Sequence, residues 1–257
     1  MISSTANPRI KNIIRLKKSA RARNEQKVFL VEGPRMFFET PRDRIREIYI
    51  TESFLDRYGD DLKDYPCELI SDQVCRHISD TQTPQGVTAL VDRDPLTLED
   101  LLALDENPLF LLLENLQDPG NLGTIIRTAE GAGVSGIIMN RETADPYQPK
   151  VIRSTMGTIF REPFVVVDDL KGTVGLLKKR GIAIYAAHLS GSTFYGQDYR
   201  KGCGFLIGNE GRGLSEELSA TADHLIRIPM KGRVESLNAA IAATVLVYEV
   251  QRQRNWE

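Results

Sequence analysis

The sequence predicts an α/β protein in two parts. A small α/β domain is expected over residues 1–93, and a mostly parallel sheet with helices on both faces over residues 108–257. Three observations carry this expectation. Apolar runs such as Leu109-Phe110-Leu111-Leu112-Leu113 lack polar alternation, the pattern of strands covered on both faces of a parallel sheet. Short strand-like runs alternate with helical patterns through both parts. The alternation breaks at Asp92-Arg93-Asp94-Pro95, and a polar, weakly helical linker over 94–107 leads to Asn107-Pro108.

Taken in order, Asn7-Pro8 is a helix start, with Asn as N-cap and Pro in the first turn. Ile10, Ile13 and Ile14 then share one face, and Lys11, Arg15 and Lys18 the opposite one. Strands are expected at 28–31, 45–51, 67–70 and 86–91, with helices at 35–39, 53–62 and 72–78 between them. In the second part the expected strands are 109–113, 136–139, 164–167, 182–187, 205–208 and 225–228. Helices are expected at 122–131, 150–156, 169–180 and 236–251, and Ser215-Glu216-Glu217 reads as a further helix start. No repeat or low-complexity segment interrupts the pattern.

Composition excludes several classes. At 41% hydrophobic and 26% charged residues the chain is an ordinary globular one, with no run long enough for a membrane span and no apolar leader, so a cytoplasmic location is expected. Cys67, Cys75 and Cys203 are widely spaced, as are His77, His188 and His224, so reduced thiols and no metal site are expected. Charge is unevenly distributed. Residues 1–35 hold nine bases (Arg9, Lys11, Arg15, Lys17, Lys18, Arg21, Arg23, Lys27, Arg35) against Glu25 and Glu32, a net of +7, which leaves −9 on the rest of a chain of formal charge −2. A basic arm on an acidic body points to a polyanion held at one place, with Arg9, Lys11, Arg15, Lys18, Arg21 and Arg23 as candidate RNA contacts.

The last helix carries no charge from Ala239 through Tyr248, so it needs burial on more than one side, and a homodimer is the expected second partner.

Three loops at strand ends concentrate glycine and polar residues: 114–129, 204–215 and 226–240. Such loops gather at the carboxyl edge of a parallel sheet, where ligands collect. The first has a GxxG spacing rather than GxGxxG, and the chain has neither a P-loop nor a GxSxG elbow. Gly204 to Gly213 reads as a strand entering a tight loop, either a ligand cradle or a bare turn. Arg127 stands among Ile125, Ile126 and Ala129, where an arginine is costly unless something anionic meets it; Glu130 and Glu114 are the internal alternatives.

These loops, NLGTIIRTAEGAG, FLIGNEGRGLS and IRIPMKGRVESLNAAIAA, resemble in order and spacing the three signature motifs of the SpoU/TrmH family of RNA ribose 2′-O-methyltransferases of the SPOUT superfamily. Arg153-Ser154-Thr155-Met156-Gly157 resembles the family between the first and second motifs, and the likeness spans 108–252. The basic helix, VFLVEG and TPQGVTALV more weakly resemble the family's substrate-binding domain, which makes residues 1–93 an RNA-binding domain by expectation.

The resemblance implies a deep trefoil knot in the second part and a homodimer with the final helix in its interface. It implies S-adenosyl-L-methionine as cofactor without a metal, Gly208, Ile228 and Leu237 as largely backbone contacts to it, and Leu206, Met230, Ser236 and Asn238 close by. Asn121 and Arg127 are implied beside the reacting ribose, with Glu210 as the acidic residue of the second motif. A guanidinium with a pKa above about 12 is a poor proton acceptor, so Arg127 is expected to hold a phosphate and stabilise the forming alkoxide. Asn121, Glu210, Ser236 and Asn238 are expected to order the loops and pass the proton to water. The implied partner is RNA, 23S rRNA in preference to tRNA. A non-catalytic RNA-binding relative and a nucleotide-dependent enzyme of small metabolites are the competing readings.

Overall fold

The computed structural model describes residues 1–255; residues 256 and 257, the end of the expected second domain, lie outside the described residues. By contact the chain divides into two units. The first comprises Met1–Asp94 with Asp145–Phe160, and the second Pro95–Ala144 with the chain from Arg161 onward.

The first unit opens with α1 (Pro8–Lys18), capped by the Asn7 side chain, which accepts from the Arg9 N–H at 2.9 Å. Ile10, Ile13 and Leu16 are its buried residues, and Ile14 is only partly buried. Ser19 ends this helix and caps the next, α2 (Ala20–Gln26). Then follow β1 (Val28–Glu32), α3 (Pro34–Glu39), β2 (Ile45–Ile50), α4 (Glu52–Tyr58), β3 (Cys67–Leu69), α5 (Asp72–Ile78) and β4 (Val87–Asp92). The sheet order is β1-β4-β2-β3, with β4 antiparallel to both neighbours and β3 parallel to β2. The carboxyl ends of β1, β2 and β3 therefore share an edge with the loop that enters β4.

The second unit begins with α6 (Leu98–Leu102), where a linker was expected. Thr97 and Asp100 form a capping box, and Leu101 lies fully buried with its Cδ1 where a Cβ on Gly136 would stand, 2.4 Å away. Next come β5 (Leu109–Leu113), α7 (Pro119–Gly131) and β6 (Gly136–Asn140). The chain then returns to the first unit for α8 (Pro149–Thr155), so residues 145–160, expected in the second domain, belong structurally to the first. In that unit Phe29 packs 5.0 Å from the ring of Tyr147 and 6.0 Å from that of Phe160.

The second unit continues with β7 (Phe164–Val167), α9 (Leu170–Lys179), β8 (Ala183–Thr193), β9 (Cys203–Ile207), α10 (Glu216–Ser219), β10 (His224–Arg227) and α11 (Ala239–Asn255). Its six-stranded sheet has the order β10-β8-β9-β5-β6-β7, and every pairing is parallel. The chain leaves β5 toward β6 and later returns to β9 on the other side. That reversal of direction puts a crevice at the carboxyl ends of β5 and β9.

Candidate active site

Asp118 starts α7 by accepting the Asn121 N–H at 2.8 Å, with Pro119 in the first turn. Leu122, Ile125, Ile126 and Ala129 face the core, which leaves Asn121, Thr124 and Arg127 along the outer side at helical spacing. Arg127 is thus exposed and not, as expected, embedded in an apolar face. It has no hydrogen bond or ion pair among the described residues. Glu130 instead pairs with Arg161 at 2.8 Å, and Glu114 holds Ser215. The guanidinium is available to an external anion.

After β9 the chain turns back on itself. Asn209 and Gly213 exchange backbone hydrogen bonds at 3.0 and 2.9 Å, and the Asn209 Oδ1 accepts from the N–H groups of Gly211 and Arg212, both at 3.0 Å. A Cβ on Gly208 would stand 2.2 Å from the carbonyl carbon of Gly213. Glycine at 208 is therefore required by the loop's own backbone, before any ligand is considered.

One carboxylate joins the loops. Glu210 accepts from the N–H of Gln117 at 3.0 Å, the N–H of Asp118 at 2.8 Å and the Asn121 Nδ2 at 2.9 Å. Asn121 Oδ1 in turn accepts from Asn238 Nδ2 at 2.9 Å, and Asn238 Oδ1 caps α11 through the N–H groups of Ala240 (2.9 Å) and Ile241 (3.3 Å). Two further ties reinforce the junction: Asn209 Nδ2 donates to the Asn115 carbonyl at 2.8 Å, and Glu114 accepts from the N–H and hydroxyl of Ser215 at 2.7 and 2.6 Å. Partial burial pushes the Glu210 carboxyl up, but the hydrogen bonds from Gln117, Asn121 and Asp118 outweigh it and hold the group below the usual carboxylate range. Glu210 is accordingly an ionised acceptor that fixes loops, and a poor proton carrier at neutral pH.

Beside this junction lies a cleft of about 330 Å3. Ile207, Ile226, Ile228, Met230, Leu237 and Leu246 give it an apolar lining, with Gly208 and Ser236 among its walls. Leu206, expected among these, instead buries its side chain in the sheet core, because alternation along β9 turns Ile207 and not Leu206 to the cleft. Asn121, Asn238 and Arg127 stand outside the lining and reach it through the hydrogen-bonded junction or the outer side of α7. Ser236 is exposed and makes no hydrogen bond among the described residues.

Ala187, His188 and Leu189 also line the cleft, as do Arg212 and Arg227. The expected strand stopped at 187, whereas β8 runs to Thr193; polar His188 and Ser190 hid its second half. The available signal was its position, a strand end beside the reversal point.

The basic arm differs from its expected form. Arg23 is only 4% exposed: its Nε and Nη2 donate to Asp145 Oδ2 at 3.0 and 2.5 Å, and its Nη1 to the carbonyls of Leu16 and Lys17 at 2.5 and 3.1 Å. It closes the end of α1 and is unavailable as an RNA contact. Arg9 pairs with Glu68 at 2.8 Å, and Arg15 and Arg21 share Glu25 at 3.0 and 2.7 Å. Lys11 and Lys18 have no partner among the described residues.

Residues 108–248 match the SpoU rRNA Methylase family and residues 7–89 the MRM3-like substrate binding domain. The chain is 32% identical to the 23S rRNA (guanosine(2553)-2'-O)-methyltransferase RlmP of Bacillus subtilis, over 97% of this chain and 98% of that one. It superposes on the AdoMet-bound rRNA methyltransferase of Sinorhizobium meliloti with a TM-score of 0.85 at 31% identity, covering 98% and 97% of the two chains. The TrmH/SpoU tRNA modifying enzyme of A. aeolicus matches at 30% identity and a TM-score of 0.53, over 60% of this chain and 78% of that one.

Proposed function

We propose, from the premise that this chain belongs to the SpoU rRNA Methylase family, that it is an S-adenosylmethionine-dependent RNA methyltransferase acting on a ribose 2′-hydroxyl of 23S rRNA. The observation that carries this reading is the Glu210–Asn121–Asn238 junction, which ties the three loops together by hydrogen bonds beside an apolar cleft. Preference for rRNA over tRNA rests on coverage: an rRNA enzyme of B. subtilis and one of S. meliloti align over nearly the whole chain, and the A. aeolicus tRNA enzyme over 60% of it.

The cleft fits the cofactor. Its volume lies within the ~300–1,000 Å3 typical of small-molecule pockets, and its lining pairs aliphatic side chains with open backbone at Gly208. Ile228, Met230, Ser236 and Leu237 would hold it from the third loop and Gly208 from the second. When bound, S-adenosylmethionine supplies an electrophilic methyl on a sulfonium. Residues of this chain contribute alignment and charge. Arg127, unpaired on the outer side of α7, holds a substrate phosphate and stabilises negative charge growing on the 2′-oxygen. Asn121 and Asn238 fix that helix end against α11. Ser236, exposed beside the cleft, is the hydroxyl placed to pass the ribose proton to water.

Of the candidate contacts in the arm, Lys11 and Lys18 have no partner among the described residues and would meet RNA phosphates directly, and Arg9, Arg15 and Arg21 contribute only by exchanging partners. A trefoil knot agrees with a close backbone approach between distant segments. A Cβ on Gly191 would lie 2.5 Å from the Ile226 nitrogen, where β8 meets β10, and α11 returns from edge strand β10 to pack on α7 and β9. A homodimer agrees with Ile241 and Tyr248, each 50% exposed on one face of α11 with Val245 between them. A cytoplasmic location agrees with action on rRNA, and among the described residues no helix is long and apolar enough to cross a membrane.

Single-turnover transfer of labelled methyl to 23S rRNA and tRNA transcripts tests the reading. Label on a ribose of rRNA is expected, with Arg127→Ala slowed roughly 10²–10³-fold at unchanged cofactor affinity. Label on a base, transfer to tRNA alone, or a wild-type rate for Arg127→Ala would overturn the reaction, the substrate or the residue assignment respectively.

A further inference from the structure

The first unit holds a cavity of about 420 Å3 at the carboxyl edge of its sheet, between α4, α5 and the loop that enters β4. We propose that this cavity receives one unstacked nucleotide of the RNA substrate, with Arg57 and Arg76 on its phosphates and Gln82 and Gln85 on its base. The inference rests on the RNA methyltransferase reading above.

Its walls have the required chemistry. Arg57 and Arg76 both line the cavity, both are exposed, and neither has a hydrogen bond or ion pair among the described residues, although Asp72 lines the same space. Guanidinia left unpaired around a concave site suit a phosphate, which offers bidentate acceptors and outcompetes water for them. Tyr58, half-buried and packed 4.6 Å from Phe54 and 5.5 Å from Phe38, presents an aromatic wall. Neutral amides at Gln82 and Gln85 each offer a donor and an acceptor to a base edge, and the Asp72 carboxylate accepts from an amino group or a hydroxyl. Sequence-dependent reading of RNA falls chiefly on splayed bases that stack and hydrogen-bond in this way.

The loop forming one wall is preformed. Glu32 gathers it, accepting from the hydroxyl of Ser79, the N–H of Asp80 and the hydroxyl of Thr81, the last two at 3.1 Å. Gly33, at φ +89°, leaves room for the Gln85 amide, whose Oε1 lies 2.5 Å from where a Cβ would stand. Gly86, at φ +83°, lets the chain turn into β4 against Thr51 and Phe54, where a Cβ would lie 2.6 Å from the Thr51 hydroxyl. Gln85 and Gly86 belong to the Thr83-Pro84-Gln85-Gly86 stretch, which the catalytic cleft leaves unused.

Full-length protein tests the proposal by fluorescence anisotropy on a 23S rRNA fragment that the wild type methylates, with 4-thiouridine crosslinking on the same RNA. Arg57→Ala and Arg76→Ala should each weaken RNA binding about tenfold or more, Gln85→Ala should alter preference at one nucleotide, and crosslinks should fall in 51–58 or 72–86. The S-adenosylmethionine-induced thermal shift should match the wild type's in every variant, which checks folding. Wild-type RNA affinity in the Arg57→Ala/Arg76→Ala double variant, or crosslinks confined to the second unit, would overturn the site. So would binding of free nucleoside monophosphate here without any change in RNA affinity. A wild type that methylates no RNA would instead overturn the parent reading, independently of these variants.

Discussion

The basic arm of α1 and α2 and the surroundings of the cleft carry the same kinds of side chain in opposite states. In the arm, Arg9, Arg15, Lys17, Arg21 and Arg23 each face a carboxylate, and of its seven bases only Lys11 and Lys18 have no partner among the described residues. Around the cleft, the side chains of Arg127, Arg212 and Arg227 have no hydrogen bond or ion pair among the described residues. The arm has the larger formal charge, yet what separates the two is pairing: a cation already held by a carboxylate gains little by exchanging it for a phosphate. An overall acidic protein can therefore engage RNA through few, unspent cations, and a run of bases in sequence marks cations without showing which are free.

If pairing decides, the largest effect falls on folding. Arg23→Ala should lower stability by about 3 kcal/mol, since it strands a half-buried Asp145 and two helix-end carbonyls. Denaturant midpoints measure this, and an unchanged midpoint would mean that Arg23 is as free as the residues around the cleft. Glu210 probes the cleft next. Its hydrogen bonds contribute above the ordinary glutamate value of 4.5 and are lost as pH falls through the lowered folded value. Calorimetry should find wild-type cofactor affinity level from neutral pH down to about 4.5 and falling below it. Glu210→Gln, which turns an amide donor toward N–H groups, should bind about tenfold more weakly at neutral pH and without that acid limb. An identical acid limb in the variant would reassign the titration elsewhere. The smallest effect separates the regions most directly. Arg212→Gln and Arg227→Gln should each reduce the salt slope of RNA binding by about 1, and Arg15→Gln and Arg21→Gln by less than about half as much. Equal slopes in both regions would end the distinction.

Much of this was legible in sequence, because local patterns carry it. The unbroken apolar run of β5 identifies a central parallel strand, Asn7-Pro8 starts α1, and the three glycine-bearing loops meet at one sheet edge. What escaped depends on partners far along the chain. Arg23 and Asp145 are 122 residues apart, so no local charge count shows that one neutralises the other. The capping box of Thr97 and Asp100 was a readable sign of α6, obscured by the helix's brevity and polar flanks. Leu206 and Ile207 are chemically alike, and only strand register decides which of them turns to the cleft. Arg127 has Ile125, Ile126 and Ala129 as sequence neighbours, whereas helical spacing puts it in line with Asn121 and Thr124 on the outer face.

The excursion of residues 145–160 has a consequence for inheritance and engineering. A recombination or a cloning boundary drawn near residue 93 follows the linear gene but severs a spatial module, because Asp145, Tyr147, Phe160 and α8 travel with the other parent. Exchange of the first unit between relatives then requires two cassettes moved together. Lineages in which the pieces drift apart would lose the Arg23 clasp and the cover over Phe29 before any residue of the cleft had changed.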